Sequence, residues 1–405
     1  MDPTSVVHVG TFPPTQCGLA TFGAALVDAM TAHAPNTTVD VVDVVDVVDV
    51  VDVLDVLDVV DVLDPGSDDT PRPGRHGSVL PWRQGDTSSL CAALDFVSHH
   101  DVAVVEHEFG IYGGAEGEDV LRLVERTATP VVSVLHTVLA RPTPRQREIV
   151  ERLARASDAL VVMTRAAHDR LLSVFAVDPR IVHIIPHGAH PNTGEVDPPH
   201  AERPTILTWG LLGPGKGVEA GIDAMTHVRD LIPTPRYVVA GSTHPKVLER
   251  SGESYRRSLI ERAEAAGVAD LVEFDGGYRD VDSLTRLIRS ADVVLLPYET
   301  TEQVTSGVLV EAVVSGRPVV STDFPHAREL LVDGAGLVVP HGDPAAMASA
   351  LESVLTHPRL ADEMHRRALE LAAPMAWTAV GERYLEVIRS VVDLRTPWRH
   401  PMRVA

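Results

Sequence analysis

Residues 302–323 read EQVTSGVLVEAVVSGRPVVSTD. The stretch sets a polar loop before an apolar helix, then a small Gly turn, then a buried strand. That order is the repeating unit of α/β folds. Thr305, Ser306 and Gly307 fall where the unpaired backbone N–H groups of a helix start face an anion. Val304, Val308 and Leu309 supply the apolar spacing, and Glu311 follows on a face that reaches the same site. Phosphate at a helix N-terminus, with a carboxylate near the ribose hydroxyls, is how such folds hold nucleotides. Taken alone, the segment reads equally well as an ordinary loop–helix–strand unit with a solvated Glu311.

Outward from this stretch the same pattern recurs. TILTWG (205–210), RYVVAG (236–241), LVEFDGG (271–277), DVVLLPY (292–298), PVVSTD (318–323) and LVVP (337–340) are apolar strands with helices between them. In the first half SVVHVG (5–10), VAVVEHEF (102–109), VVSVLHT (131–137), ALVVMT (159–164) and IVHIIPHG (181–188) alternate with helical patterns, among them 119–126, 144–156 and a helix carrying Ala24, Leu26, Val27 and Met30. Strands alternating with helices predict parallel sheets wrapped on both faces. The Pro-rich break HPNTGEVDPPHAERP (190–204) separates the halves. The predicted architecture is α/β: two Rossmann-like αβα domains, 1–197 and 198–375, facing each other across an interdomain cleft. A last helix in 376–405 is expected to return to the first domain.

Composition narrows the function. A chain of 405 residues with 44% apolar and 23% charged residues buries a large core, and two domains are the natural expectation. The net charge of −22 argues against general nucleic-acid binding. No apolar run approaches the ~20 residues that span a bilayer. MDPTSVVHVG lacks the basic region of a signal peptide, and two cysteines, Cys17 and Cys91, give no disulfide framework, so the expected compartment is the cytoplasm. Arg395, Arg399 and Arg403 are the local basic group that a peripheral contact with anionic lipid would use, although three arginines in a tail are more simply solvated. From 40 to 64 aspartate recurs at every third residue in a run of Val and Leu. That period fits neither strand nor helix, and the run reads as a low-complexity insert beside an ordinary strand.

Four loops carry candidate chemistry. GLLGPGKG (210–217) joins a strand to a helix; Gly210 and its fellow glycines allow close backbone approach, and Lys216 can neutralise a diphosphate, although the ending of a Walker A loop is missing. His136 ends a buried strand, where ligands bind in such sheets. EHEFGIYGG (106–114) offers Glu106, His107 and Glu108, but alternate residues on a strand face opposite ways, which argues against a metal. TQCGLA (15–20) places a Gly turn at the first strand's exit, and nothing marks Cys17 as a nucleophile. All four lie at carboxyl edges of the sheets, which supports a phosphorylated ligand.

The ordered set TQCG, VLHT, PHG, GLLGPGKG, GYRDVDSLTRLIRSADVVLLPY and QVTSGVLVEAVVSGRPVV resembles the retaining GT-B glycosyltransferases of family 4, the glycosyl transferases group 1, over about residues 6–355 outside the Asp-Val repeat. The resemblance implies a hexosyl transfer from a nucleotide-diphosphate sugar to a hydroxyl acceptor, with the first domain on the acceptor side. It implies that Lys216 holds the diphosphate and that Ser306, Gly307 and Val308 contact it through their backbone. Glu311 would accept from the ribose, His136 would lie near the donor sugar, and Gly18 would border the phosphates. No metal and no separate cofactor are expected. Two departures stand out: Leu211 replaces an Arg, and Gln303 replaces a Glu on the sugar side, where an amide still hydrogen-bonds hydroxyls. They keep open a sugar-nucleotide-binding sensor without turnover; another sugar-nucleotide enzyme, an epimerase or a phosphorylase, is the further alternative.

Overall fold

The computed structural model describes residues 3–45, 77–192, 203–277 and 279–395. The chain forms two compact units, Met1–Pro186 with Trp377–Ala405, and His187–Ala376. The switch from one to the other thus falls at Pro186, whereas composition placed it at 197; the Pro-rich stretch from 193 to 202 lies outside the described residues. Ala189 explains the earlier switch: it is buried, and its N–H donates to Met375 O at 2.8 Å, within the second unit.

In the first unit seven strands form one sheet in the order β3-β2-β1-β4-β5-β6-β7, and every pairing is parallel. They are β1 Ser5–Gly10, β2 Thr38–Val45, β3 Val79–Arg83, β4 Val102–His107, β5 Val131–Leu135, β6 Ala159–Val162 and β7 Val182–Ile184. The order reverses at β1 and β4, the switch point where such sheets bind ligands. On one face Val6, Val102, Val104, Val132 and Val134 pack against Phe22, Leu26 and Met30 of the helix Gly18–His33 and against Trp377, Tyr384 and Ile388 of the helix Trp377–Arg395. The two helices close so tightly that a Cβ on Gly381 would lie 2.8 Å from Ala29 Cβ.

Strand β2 begins the Asp-Val repeat rather than standing beside it. Asp43 is buried because it accepts a hydrogen bond from Phe12 N at 2.8 Å, and Asp40 accepts from Ser78 N at 2.6 Å and lies 2.8 Å from His100 Nε2. These partners satisfy carboxylates that a period-three pattern pushes inward. Residues 46–64 of the repeat lie outside the described residues. β3 is an addition to the predicted strands. Pro81 hides it from a propensity reading, yet an edge strand tolerates a missing N–H.

The second unit has six parallel strands in the order β10-β9-β8-β11-β12-β13: β8 Thr205–Trp209, β9 Arg236–Ala240, β10 Val272–Asp275, β11 Val293–Leu296, β12 Val319–Thr322 and β13 Gly336–Val339. These are the six strands that the sequence predicts. The order reverses at β8 and β11. Ile206, Val239, Val293, Leu295 and Val320 pack on one face and Leu207, Val238, Val294, Leu296 and Val319 on the other, so the strands are apolar throughout. No helix among the described residues is long and apolar enough to cross a membrane.

Candidate functional site

The switch point of the second unit gathers the Lys216 loop and the Ser306 turn. Gly217 has φ +66°, and a Cβ there would sit 1.9 Å from Pro297 O at the exit of β11. Only glycine lets the two loops touch. Glu299 N donates to Gly215 O at 3.0 Å and seals the contact. The loop thereby carries Lys216 Nζ onto the face of Tyr298, 4.6 Å from the ring centroid. Burial pushes the Lys216 ammonium below its usual range, and no carboxylate pairs with it among the described residues. A half-buried cation left without a counter-charge is an anion site in electrostatic terms.

The helix Gly307–Val314 faces this loop. A Cβ on Gly210 would lie 3.8 Å from Val308 Cγ2. Ser306 is the N-cap, its Oγ accepting from Leu309 N at 3.3 Å. The Ser306 amide donates to His326 Nδ1 at 2.9 Å, so it is already used. The amides of Gly307 and Val308 have no partner among the described residues, and they are the donors left for a ligand. Burial, with His187 nearby, holds His326 down to about 3, which keeps its Nδ1 an acceptor at neutral pH. Gly307 is small because His187 Nε2 would lie 2.8 Å from a Cβ there. Thr305 Oγ1 is buried with no partner, and Gln303 Nε2 donates back to Thr305 O at 2.9 Å. One turn along the helix, Glu311 Oε2 accepts from Trp209 Nε1 at 3.1 Å, and burial pushes its carboxyl up to about 7. Lys216, Gly210, Thr305, Ser306, Gly307, Val308, Gln303 and Glu311 therefore share one edge of one sheet. His187, Trp209, Tyr298 and His326 join them without having been singled out.

In the first unit Gly18 opens its helix after the N-cap Cys17, whose Sγ accepts from Ala20 N at 3.4 Å, and the space beside a Gly18 Cβ is empty. His136 follows β5. Its Nε2 donates to Glu106 Oε2, and the edge of Phe22 packs on its ring at 4.8 Å. Glu106 Oε1 accepts from His8 Nε2 at 3.3 Å. Burial alone would raise the Glu106 carboxyl, but His136 and His8 hold it down to about 2. The pairing is invisible in a linear reading because its members come from β1, β4 and the residue after β5. His107, on the opposite face of β4, is buried with neither ring nitrogen partnered, and burial lowers it to about 4. No group of His, Cys, Asp and Glu among the described residues is arranged to hold a metal ion.

The family described as glycosyl transferases group 1 matches residues 203–357, the part that carries this site. A phosphatidyl-myo-inositol mannosyltransferase of Mycobacterium leprae is 30% identical over 213 residues, 51% of this chain and 53% of that relative, so the chain spans about half of it. A D-inositol 3-phosphate glycosyltransferase of Kineococcus radiotolerans is 27% identical over 347 residues, covering 76% of this chain and 78% of the relative. Among solved structures, Anabaena HepE, crystallised with UDP and glucose, superposes with a TM-score of 0.73 at 14% identity, over 96% of this chain and all of that one. The chain shares the GT-B fold, and its residues 203–357 match the glycosyl transferases group 1. In this fold each parallel sheet is a Rossmann-like scaffold, and its carboxyl edge is where ligand contacts gather.

Proposed function

We propose that this chain transfers a hexosyl group from a nucleoside-diphosphate sugar to a hydroxyl acceptor with retention of anomeric configuration. The observation that carries the reading is an ammonium, Lys216, with no carboxylate partner among the described residues, on the same sheet edge as the unpaired amides of Gly307 and Val308. These fixed donors suit the β-phosphate of a leaving nucleoside diphosphate. Glu311 suits the ribose hydroxyls, and His136 takes the place beside the donor sugar that the family resemblance implies.

In this reading the bond between the anomeric carbon and the phosphate oxygen breaks through an oxocarbenium-like state. The acceptor oxygen bonds the same carbon from the same face. Its proton passes to the departing phosphate, so no side-chain nucleophile is required. Lys216 and the helix amides stabilise the charge that develops on the phosphate. Because that role falls to protein donors, EDTA is expected to leave turnover unchanged; an absolute need for a divalent cation would remove this part of the reading.

HepE has been crystallised with UDP and glucose, which sets UDP-sugars first among donors to try. Two relatives carry inositol in their names, which sets myo-inositol and its 3-phosphate first among acceptors. The test is donor consumption and product mass with UDP-, GDP- and ADP-sugars against these acceptors, simple sugars and a lipid extract. A hexose-sized mass on one acceptor supports transfer. Tight nucleotide-sugar binding with neither transfer nor hydrolysis supports the sensor instead, with Leu211 and Gln303 as its cause.

A further inference from the structure

The polar end of the first unit's core is built around Glu106. His8 on β1, Glu106 on β4 and His136 after β5 follow Val6, Val104 and Val134 at spacing two, so all three face the helix Gly18–His33. Two glycines make room for them. A Cβ on Gly10 would lie 3.0 Å from Glu106 Cβ, and one on Gly23 would lie 2.7 Å from His8 Cε1. Glu106 side-chain exposure is 1% and that of His8 is 0%. Burying a carboxylate costs several kcal/mol unless its oxygens are satisfied. Here each oxygen takes one imidazole N–H.

We propose that Glu106 is a positioning residue that fixes the proton of His136 on Nε2, so that Nδ1 meets the substrate as an acceptor. The proposal rests on the transferase reading for its consequence in turnover, but not for the proton placement itself. An ionised carboxylate can only accept, so both imidazoles must donate through Nε2. For His8 this leaves Nδ1 as a buried nitrogen without a partner, which a lone pair tolerates better than an N–H. For His136 it leaves Nδ1 with no partner among the described residues, on a side chain that keeps 10% exposure. The remaining titratable groups around the array are His107, Tyr112 and Tyr384. Tyr112 donates to Glu106 O at 2.6 Å; burial and the Glu106 charge push both tyrosines well above their usual range.

The arrangement makes an unusual demand of an amide in the same place. Glutamine accepts through one oxygen only, so one of the two imidazoles must become an acceptor at Nε2 and move its proton to Nδ1. His8 would then bury an unsatisfied N–H. His136 would not, so His136 is the ring that switches.

The test is long-range 1H–15N NMR of the full chain labelled at histidine, recorded from pH 6 to 8. Wild type is expected to show His136 as a single Nε2–H form when neutral; a mixture of the two forms would overturn the proposal without any variant. Glu106→Gln is expected to convert His136 to the Nδ1–H form and to lower kcat on the order of 100-fold, the loss typical of a misaligned group, with the nucleotide KM unchanged. Adding His8→Val frees the amide oxygen for His136 and is expected to restore both the Nε2–H form and most of kcat. An unchanged His136 signal in Glu106→Gln, or no recovery in the double variant, would reduce Glu106 to a packing element. A chain that transfers no sugar fails the transferase reading, while the NMR result still decides the proton placement.

Discussion

At the scale of single residues, the proposed reading gives Lys216 and Glu311 of the second unit two separate jobs. In that reading Lys216→Ala removes a side-chain cation that would face the diphosphate and is expected to lower kcat by about 100-fold to 1000-fold, as loss of a fixed charge-stabilising donor does. Unchanged donor turnover in that variant would sink the assignment. Glu311 makes a pH-dependent prediction. Burial holds its proton until about pH 7, above the ordinary carboxylate range near 4.5. Ribose hydroxyls donating to it favour the ionised form, so nucleotide binding should expel a proton at pH 6 and none at pH 8. Calorimetry in buffers of different ionisation enthalpy reads this directly, and Glu311→Gln should abolish the proton release and weaken binding about tenfold or more. The sign for the empty protein is opposite to the usual carboxylate. The folded unit keeps a proton that the unfolded chain loses, so its stability falls as pH rises from 4.5 through 7. Lys216 and Glu311 were legible in the sequence because motif spacing names them. His326 was not: it acts from another helix, 20 residues past Ser306, through a backbone N–H that any residue could supply.

At the scale of elements, the loop–helix unit at 302–323 reads clearly because its strand is wholly apolar and its cap is a serine. The Gly loop before it is just as legible, but its reason is not local. Gly217 is required by Pro297 O, 80 residues on in the chain. Gly217→Ala is expected to cost the second unit on the order of 2–4 kcal/mol, combining a left-handed backbone with a clash against backbone. Thermal unfolding reads the loss, and a wild-type midpoint would contradict the contact. Gly215→Ala, also at positive φ but with nothing within 4 Å of its Cβ, should cost less. β2 shows the limit of pattern reading. A three-residue period argues against a strand, yet Phe12 N and His100 supply partners for the two aspartates, and only the tertiary structure contains them.

At the scale of the molecule, each unit has its own sheet and its own core, and the first is completed by the helix Trp377–Arg395. Trp377, Tyr384, Leu385 and Ile388 are buried, each worth roughly 1.5–3 kcal/mol of apolar burial. Ending the chain at Ala376 is therefore expected to unfold the first unit and leave the second one intact. Limited proteolysis should then spare His187–Ala376 and digest Met1–Pro186, and equal protection of both would show the helix to be dispensable. That two parallel sheets exist was plain from the alternation of strands and helices. Where the chain passes from one to the other was not, because Ala189 pairs with Met375 across nearly the whole second unit.

The same interrupted first unit has a consequence during synthesis. A ribosome delivers Met1–Pro186 first, but the helix that covers Phe22, Leu26 and Met30 emerges only after the 190 residues of His187–Ala376. At 5–20 residues per second that is a wait of roughly 10–40 s. The unit that begins last is thus the first to be finished, while the nascent sheet of the earlier one stands with an apolar face bare. Such a face is what holding chaperones capture, and crosslinking of stalled nascent chains should catch one there until residue 395 has cleared the exit tunnel.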